Sequence, residues 1–335
     1  LKNWCWQRGI IYKKGYCKNP RQKGSLKVQL QRRLPAAFLA ALFLIRYLWR
    51  NRVFLACKTP VGDGGLVADG LTVFSYFDNL DKRAVGSGRF GSLYWGGLPD
   101  LLSKQRWSVN WVFRFISSPL CLTPKAALAL QQSFALHGGP TNRFFFLEQW
   151  LSWRVVMQAI SVYWKICWKK PAESSVRHVF QFRDSRLNFW PLLKSAWRTD
   201  MSGSGAMENA LTLSLFSEFA SKSPRQAMGI CLTEYQGWER TLLQCWRKNG
   251  HKTILGFAHS TLRFFDLRYY ENEAAYRSQL PRYDNLLIGG QFGLDMLRKI
   301  GHPPQELVKV EALRYLYLTN LNQAKLPDSK VTPAR

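Results

Sequence analysis

Acidic residues are scarce in this chain and missing altogether ahead of Asp63. Against 21 Asp and Glu stand 48 Lys and Arg, a formal net charge of +27. A field of that sign draws polyanions, either nucleic acid or the anionic face of a membrane. The helix-turn-helix, zinc-finger and RNP signatures are lacking too, so nucleic acid is not the expected partner and an anionic membrane surface is. Long apolar runs are also missing. The segment Pro35 to Ile45 has only eleven residues before Arg46, and a membrane span needs about 20. It reads as a core helix or one lying flat at a membrane interface, within a helix over about 28–50. The seven cysteines contain no C-x-x-C and no zinc spacing, which fits a reducing cytoplasm. Cys231 and Cys245 fall inside apolar elements, where cysteine acts as a small hydrophobe. No G-K-[ST] follows the glycines of 61–70, which excludes a P-loop, and no D-x-D pair offers a metal clamp for a nucleotide-sugar.

What is present is a globular composition, 47% apolar and 21% charged over 335 residues, enough for two domains. The segment from Met228 to Tyr317 is the most legible. Met228–Leu232, Thr253–Ala258, Asn285–Ile288 and Leu307–Val310 are short apolar runs of strand length. Between the first two, Trp238, Leu242, Leu243 and Trp246 share one helical face, and Gly250 stops that helix. After Gly289-Gly290, Phe292, Met296, Leu297 and Ile300 form a second inward face ending at Gly301. Strands alternating with helices predict a parallel sheet with right-handed crossovers. Ligands of such sheets lie outside the carboxyl ends of the strands. Glu234, His259, the glycines at 289–290 and Glu311 all fall at such ends.

Upstream, 71–77 and 109–113 read as strands, with Asp78 and Asp81 after the first and a helix over about 99–105 between them. Arg143 to Lys170 reads as one long aromatic helix, either a core helix or an interfacial anchor. Another helix is expected over about 207–220, and a domain boundary near 222. The resulting division is a basic segment with an apolar helix (1–60), an N-terminal Rossmann-like domain (61–222), a C-terminal Rossmann-like domain (223–320) and a tail (321–335). Starting at Leu1, the sequence reads as a fragment or a trimmed chain, with its N-terminal domain truncated.

Three stretches, TEYQGWE (233–239), GFAHSTLRFFDLRYY (256–270) and KVEALRY (309–315), resemble in order and spacing a bacterial family of surface-carbohydrate biosynthesis proteins of O-antigen and capsule assembly. The family pattern runs ENQGWE, G-x-x-HST-x-RFWDLRY, E-A-L-R-Y. The likeness extends through VFSYFDNLD (73–81), GRFGSLYWGGLPDLL (88–102) and a Trp- and Arg-rich stretch near 150. The chain departs from the pattern at Tyr235, where the family has Asn, and at Thr233, where it usually has Gln. The resemblance implies an α/β fold of two Rossmann-like domains facing a cleft (GT-B-like). It also implies a glycosyltransferase using a nucleotide-sugar, with CMP-activated sugars among the donors, and a lipid-linked or polysaccharide acceptor.

Sugar transfer builds negative charge on a leaving phosphate, which a metal or fixed donors must neutralise. The residue types point to fixed donors, with no cofactor or metal. His259, Ser260, Thr261 and Arg263 are the phosphate-binding candidates. Gln236, Glu311 and Arg314 are further nucleotide contacts. Asp78, Asp81 and Glu234 are the candidate bases, and Tyr94 and Trp95 the candidate acceptor surface. Three plainer readings stand beside these. Glu239 suits a helix N-terminus for electrostatic reasons alone, Asp81 suits a turn cap, and His302-Pro303 reads as a turn. The rival functions are a non-catalytic member of the same family, an enzyme of the same fold transferring a CDP-linked alcohol, and a basic nucleic-acid-binding protein.

Overall fold

A computed structural model of the chain describes residues 34–57, 60, 65–181, 187–259, 262, 269 and 280–316. Its first half contains α1 (Ala36–Arg50), α2 (Arg52–Leu55), β1 (Leu71–Tyr76), α3 (Lys82–Gly86), α4 (Leu98–Lys104), β2 (Val109–Arg114), α5 (Pro124–His137) and β3 (Asn142–Phe146). Then follow α6 (Trp153–Trp168), α7 (Glu173–Arg177), α8 (Trp190–Ser202) and α9 (Ser204–Lys222). The second half contains β4 (Met228–Leu232), α10 (Gly237–Lys248), β5 (Thr253–Ala258), β6 (Asn285–Gly289), α11 (Gln291–Lys299) and β7 (Leu307–Val310).

All seven strands form one parallel sheet, in the order β3-β2-β1-β4-β5-β6-β7. The chain winds outward from β1 to β3, returns through α6–α9 to lay β4 beside β1, and winds outward the other way. The reversal between β1 and β4 is the switch point of a doubly wound sheet. The expected pair of separate Rossmann sheets is thereby corrected among the described residues. Leu71 to Phe74 pair with Met228 to Cys231, so both sides of position 222 share one sheet. Each half reads alike in sequence because each supplies βα units; which strands become neighbours is a non-local choice.

Alternation along the strands sorts side chains to two faces. Phe74, Val112, Phe145, Cys231 and Ile254 point to one face, under α9 and α10. Val73, Trp111, Phe113, Phe146 and Phe257 point to the other, under α5 and the 90–95 loop. Helix α9 is buried over most of its length, Thr212, Ser214 and Glu218 included, and packs against α1, α6, α8 and α10. Phe74 meets Phe219 and Trp246 edge-on, with ring centroids 5.6 and 5.7 Å away.

The expected long helix from Arg143 is two elements. Asn142–Phe146 is the edge strand β3, with Phe144, Phe145 and Phe146 buried alternately on the two faces. A turn at 147–150 follows, and α6 begins at Ser152, whose Oγ accepts from Val155 N at 3.3 Å. Three consecutive phenylalanines fit a strand covered on both sides as well as they fit a helix.

At the amino edge, a closed polar network ties β1, β2 and β4 together. The buried Gln226 accepts through Oε1 from Thr72 Oγ1 (2.9 Å) and Asn110 Nδ2 (3.0 Å). It donates through Nε2 to the carbonyls of Val67 and Pro224. Gln226 N donates to His251 Nδ1 at 3.2 Å, and His251 Nε2 lies 3.1 Å from the Ala220 carbonyl. These contacts fix a neutral imidazole protonated on Nε2.

Candidate functional site

The carboxyl ends of β1, β4 and β5 converge on the opposite edge. After β4 the chain turns through Thr233–Gln236 into α10, and Glu239, in the first turn of that helix, shapes the bend. Its buried carboxylate accepts from the backbone N–H groups of Glu234 (2.9 Å), Tyr235 (3.2 Å) and Gln236 (2.8 Å). It also accepts from the hydroxyls of Thr233 (2.8 Å) and Tyr283 (2.9 Å). Burial pushes this carboxyl above its ordinary range, and the donors around it pull it back. The structural reading of Glu239 therefore holds: it is a buried staple. Tyr235 occupies the left-handed region at φ +55°. That region suits Asn better than Tyr.

The staple presents Glu234 at the rim. Gln236 Nε2 donates to Glu234 Oε2 at 2.6 Å, and Glu234 Oε1 lies 3.4 Å from His259 Nε2 at the end of β5. The edge of Tyr94 meets the His259 ring, centroids 4.7 Å apart and planes at 82°. The Tyr94 hydroxyl lies 3.5 Å from Asp78 Oδ2, just past β1. Burial pushes the Tyr94 phenol up to about 12, so it stays protonated and able to donate. Burial also raises Asp78, partly offset by the Tyr94 hydroxyl. Asp78 Oδ1 has no hydrogen-bond partner among the described residues. From beyond β7, the Arg314 guanidinium stands 5.9 Å from the Tyr94 ring centroid.

Asp78, Tyr94, Glu234, Gln236, His259 and Arg314 are thus brought together across the switch point. Three other candidates are placed elsewhere. Asp81 caps α3, its Oδ1 accepting from Arg83 N (2.8 Å) and Ala84 N (3.4 Å). Trp95 is buried rather than an open stacking surface: its Nε1 donates to Ser75 Oγ at 3.0 Å and its ring stacks on Phe257. Glu311 is exposed past the outermost strand. Ser260, Thr261 and Arg263 lie outside the described residues. His302 sits in a turn, buried, with Nε2 2.7 Å from the Tyr269 carbonyl.

Beside His259 is a cavity of about 200 Å³, lined by Phe257, Leu262, Gly289, Phe292 and Leu313 among others. Gly290, at φ +89°, turns the chain from β6 into α11, whose N-terminus opens on this side. Phe292, expected to point inward, is 72% exposed and lines the cavity. It belongs to the first turn of α11, outside the stripe that buries Met296 and Leu297.

Sequence reasoning also missed Gly96. At φ +51°, a side chain there would place its Cβ 2.4 Å from the Leu313 carbonyl oxygen. Glycine is what lets the 313–315 turn close over the 92–97 loop and deliver Arg314 to Tyr94. The Gly96-Gly97 pair was the available signal. Comparisons with protein-family models, with curated proteins and with solved structures return no match.

Proposed function

We propose that the protein is a glycosyltransferase that moves a sugar from a nucleotide donor onto a polysaccharide or lipid-linked acceptor of surface-carbohydrate assembly. One observation carries the reading. Asp78 and Glu234, at the carboxyl ends of the two strands flanking the switch point, are joined through Tyr94 and His259. The motif resemblance supports it independently, because TEYQGWE and GFAHST supply Glu234, Gln236 and His259. A two-lobed enzyme would need a second sheet facing this rim; the present reading rests on one sheet.

In this scheme the donor lies in the cavity beside His259, its phosphate toward the N-terminus of α11 and toward His259. Backbone N–H groups and the helix dipole favour negative charge there. His259 lines this cavity with its Nε2 against Glu234, so a proton for the leaving phosphate oxygen is shared between these two side chains. Asp78, raised by burial and with a buried Oδ1 that has no hydrogen-bond partner among the described residues, takes the proton of the attacking acceptor hydroxyl. Arg314 adds fixed positive charge at the same rim.

The test is a thermal-shift panel of CMP, CDP, UDP, GDP and ADP on the wild type and on His259→Ala. One nucleotide is expected to raise the wild-type Tm and to lose that effect in the variant. Stabilisation by none of the five would remove the donor site. Stabilisation by CDP, followed by transfer of a CDP-linked alcohol and of no sugar, would move the protein to phosphotransfer on the same rim.

A further inference from the structure

Two helices of the outer layer are apolar on opposite faces, and the fold uses one face of each. α1 buries Ala40 and Leu44, and α6 buries Val155, Val156, Ala159 and Tyr163; both pack on α9, and α8 touches both. Away from α9, Phe38, Leu42, Ile45 and Trp49 of α1 are 47%, 37%, 61% and 70% exposed. At 3.6 residues per turn their spacing confines them to an arc of about 60°. On α6, Trp153, Met157, Trp164 and Trp168 are 65%, 63%, 60% and 91% exposed, in an arc of about the same width. Exposed Arg46 borders the first stripe, and exposed Arg154 and Lys165 border the second. Neither helix contains an Asp or Glu.

We infer that these two stripes dock the protein on an anionic lipid bilayer, lying on it and not crossing it. Among the described residues no helix is long and apolar enough to cross a membrane. Trp and Met side chains suit the boundary between headgroups and acyl chains, while Arg and Lys beside them reach lipid phosphates. Charge decides among occupants. A second copy packed symmetrically on either stripe would bring the basic residues of one copy near those of the other, with no carboxylate on either helix to pair with them. An anionic leaflet supplies the missing charge along either stripe. The inference stands apart from the donor site, since vesicle binding and nucleotide stabilisation are separate readouts.

The experiment is co-sedimentation of the full chain with vesicles of phosphatidylcholine alone and of phosphatidylcholine with one quarter phosphatidylglycerol. The expected result is binding about tenfold stronger to the anionic vesicles and weakened by salt. Trp153→Ser with Trp168→Ser, and separately Arg154→Glu with Lys165→Glu, should each lower binding about tenfold. Their Tm and nucleotide response should stay at wild-type levels. Variants that bind as wild type does, or a wild type that ignores anionic vesicles, would overturn the assignment. So would light scattering that shows a wild-type dimer and monomeric stripe variants, since a second copy would then be the occupant.

Discussion

The two edges of the one sheet are built on opposite terms. At the amino edge, Gln226, Thr72, Asn110 and His251 are buried and bonded to one another and to backbone carbonyls, and both oxygen and nitrogen of the Gln226 amide are used twice. At the carboxyl edge, Glu239 is equally saturated, but it holds up a turn whose neighbours are not. Asp78 keeps an oxygen without a partner among the described residues, Glu234 is partly exposed, and a cavity opens beside His259. Buried polar groups cost free energy unless they are bonded, so an edge meant only for stability closes its network. An edge meant to meet a ligand leaves acceptors open.

Substitutions can break that contrast. The largest effect is expected from Glu239→Ala, which strands three backbone N–H groups and two hydroxyls; a loss of about 3–5 kcal/mol follows. Chemical denaturation reads it, and nucleotide binding should vanish with the turn. Next comes Gln226→Leu, which leaves Thr72 and Asn110 without their acceptor and costs about 2–4 kcal/mol. Here the surviving folded fraction should still bind nucleotide. A loss of binding in proportion to activity would show that the amino edge is no mere clamp.

At the open rim the pattern should reverse. His259→Gln, which keeps most of the buried volume, and Asp78→Asn should lower turnover about 10²- to 10⁴-fold, with a stability loss of at most about 2 kcal/mol. Steady-state kinetics beside a melting curve would separate the two. An inactive variant that is also strongly destabilised would place these side chains with the staple.

The smallest effect is a pH dependence at the amino edge. Burial holds the His251 imidazole below its ordinary range. Its contribution is therefore fully present above the unfolded pKa of about 6.5 and is lost as pH falls from there through the folded pKa. Urea midpoints at pH 7.5 and 5.5 should differ more in wild type than in His251→Gln; equal differences would show that other groups carry the acid loss.

The strands and helices of residues 228–310 are legible because their signals are local. Period, stop glycines and strand length suffice for Met228–Leu232 or Gly237–Lys248. The rim candidates were legible for the same reason, each being a polar residue following an apolar run. Position in the run says nothing about direction in space, however, and that is where Asp81, Trp95 and Phe292 diverged. Asp81 found two N–H groups of its own helix, Trp95 found Ser75 Oγ and the Phe257 ring, and Phe292 was left outside the inward stripe.

By itself, then, the sequence determined that this is an α/β chain of parallel strands, strongly basic, with polar residues at its strand ends. The tertiary structure decided that β4 lies beside β1, so that one sheet stands where two were expected, and that Phe144–Phe146 form an edge strand. It also decided that Asp78, Tyr94, Glu234 and His259 meet, though they are widely separated along the chain. Periodicity is a property of neighbours in sequence, whereas strand order is set by which apolar faces bury each other best after the chain has returned, and no local pattern encodes that choice.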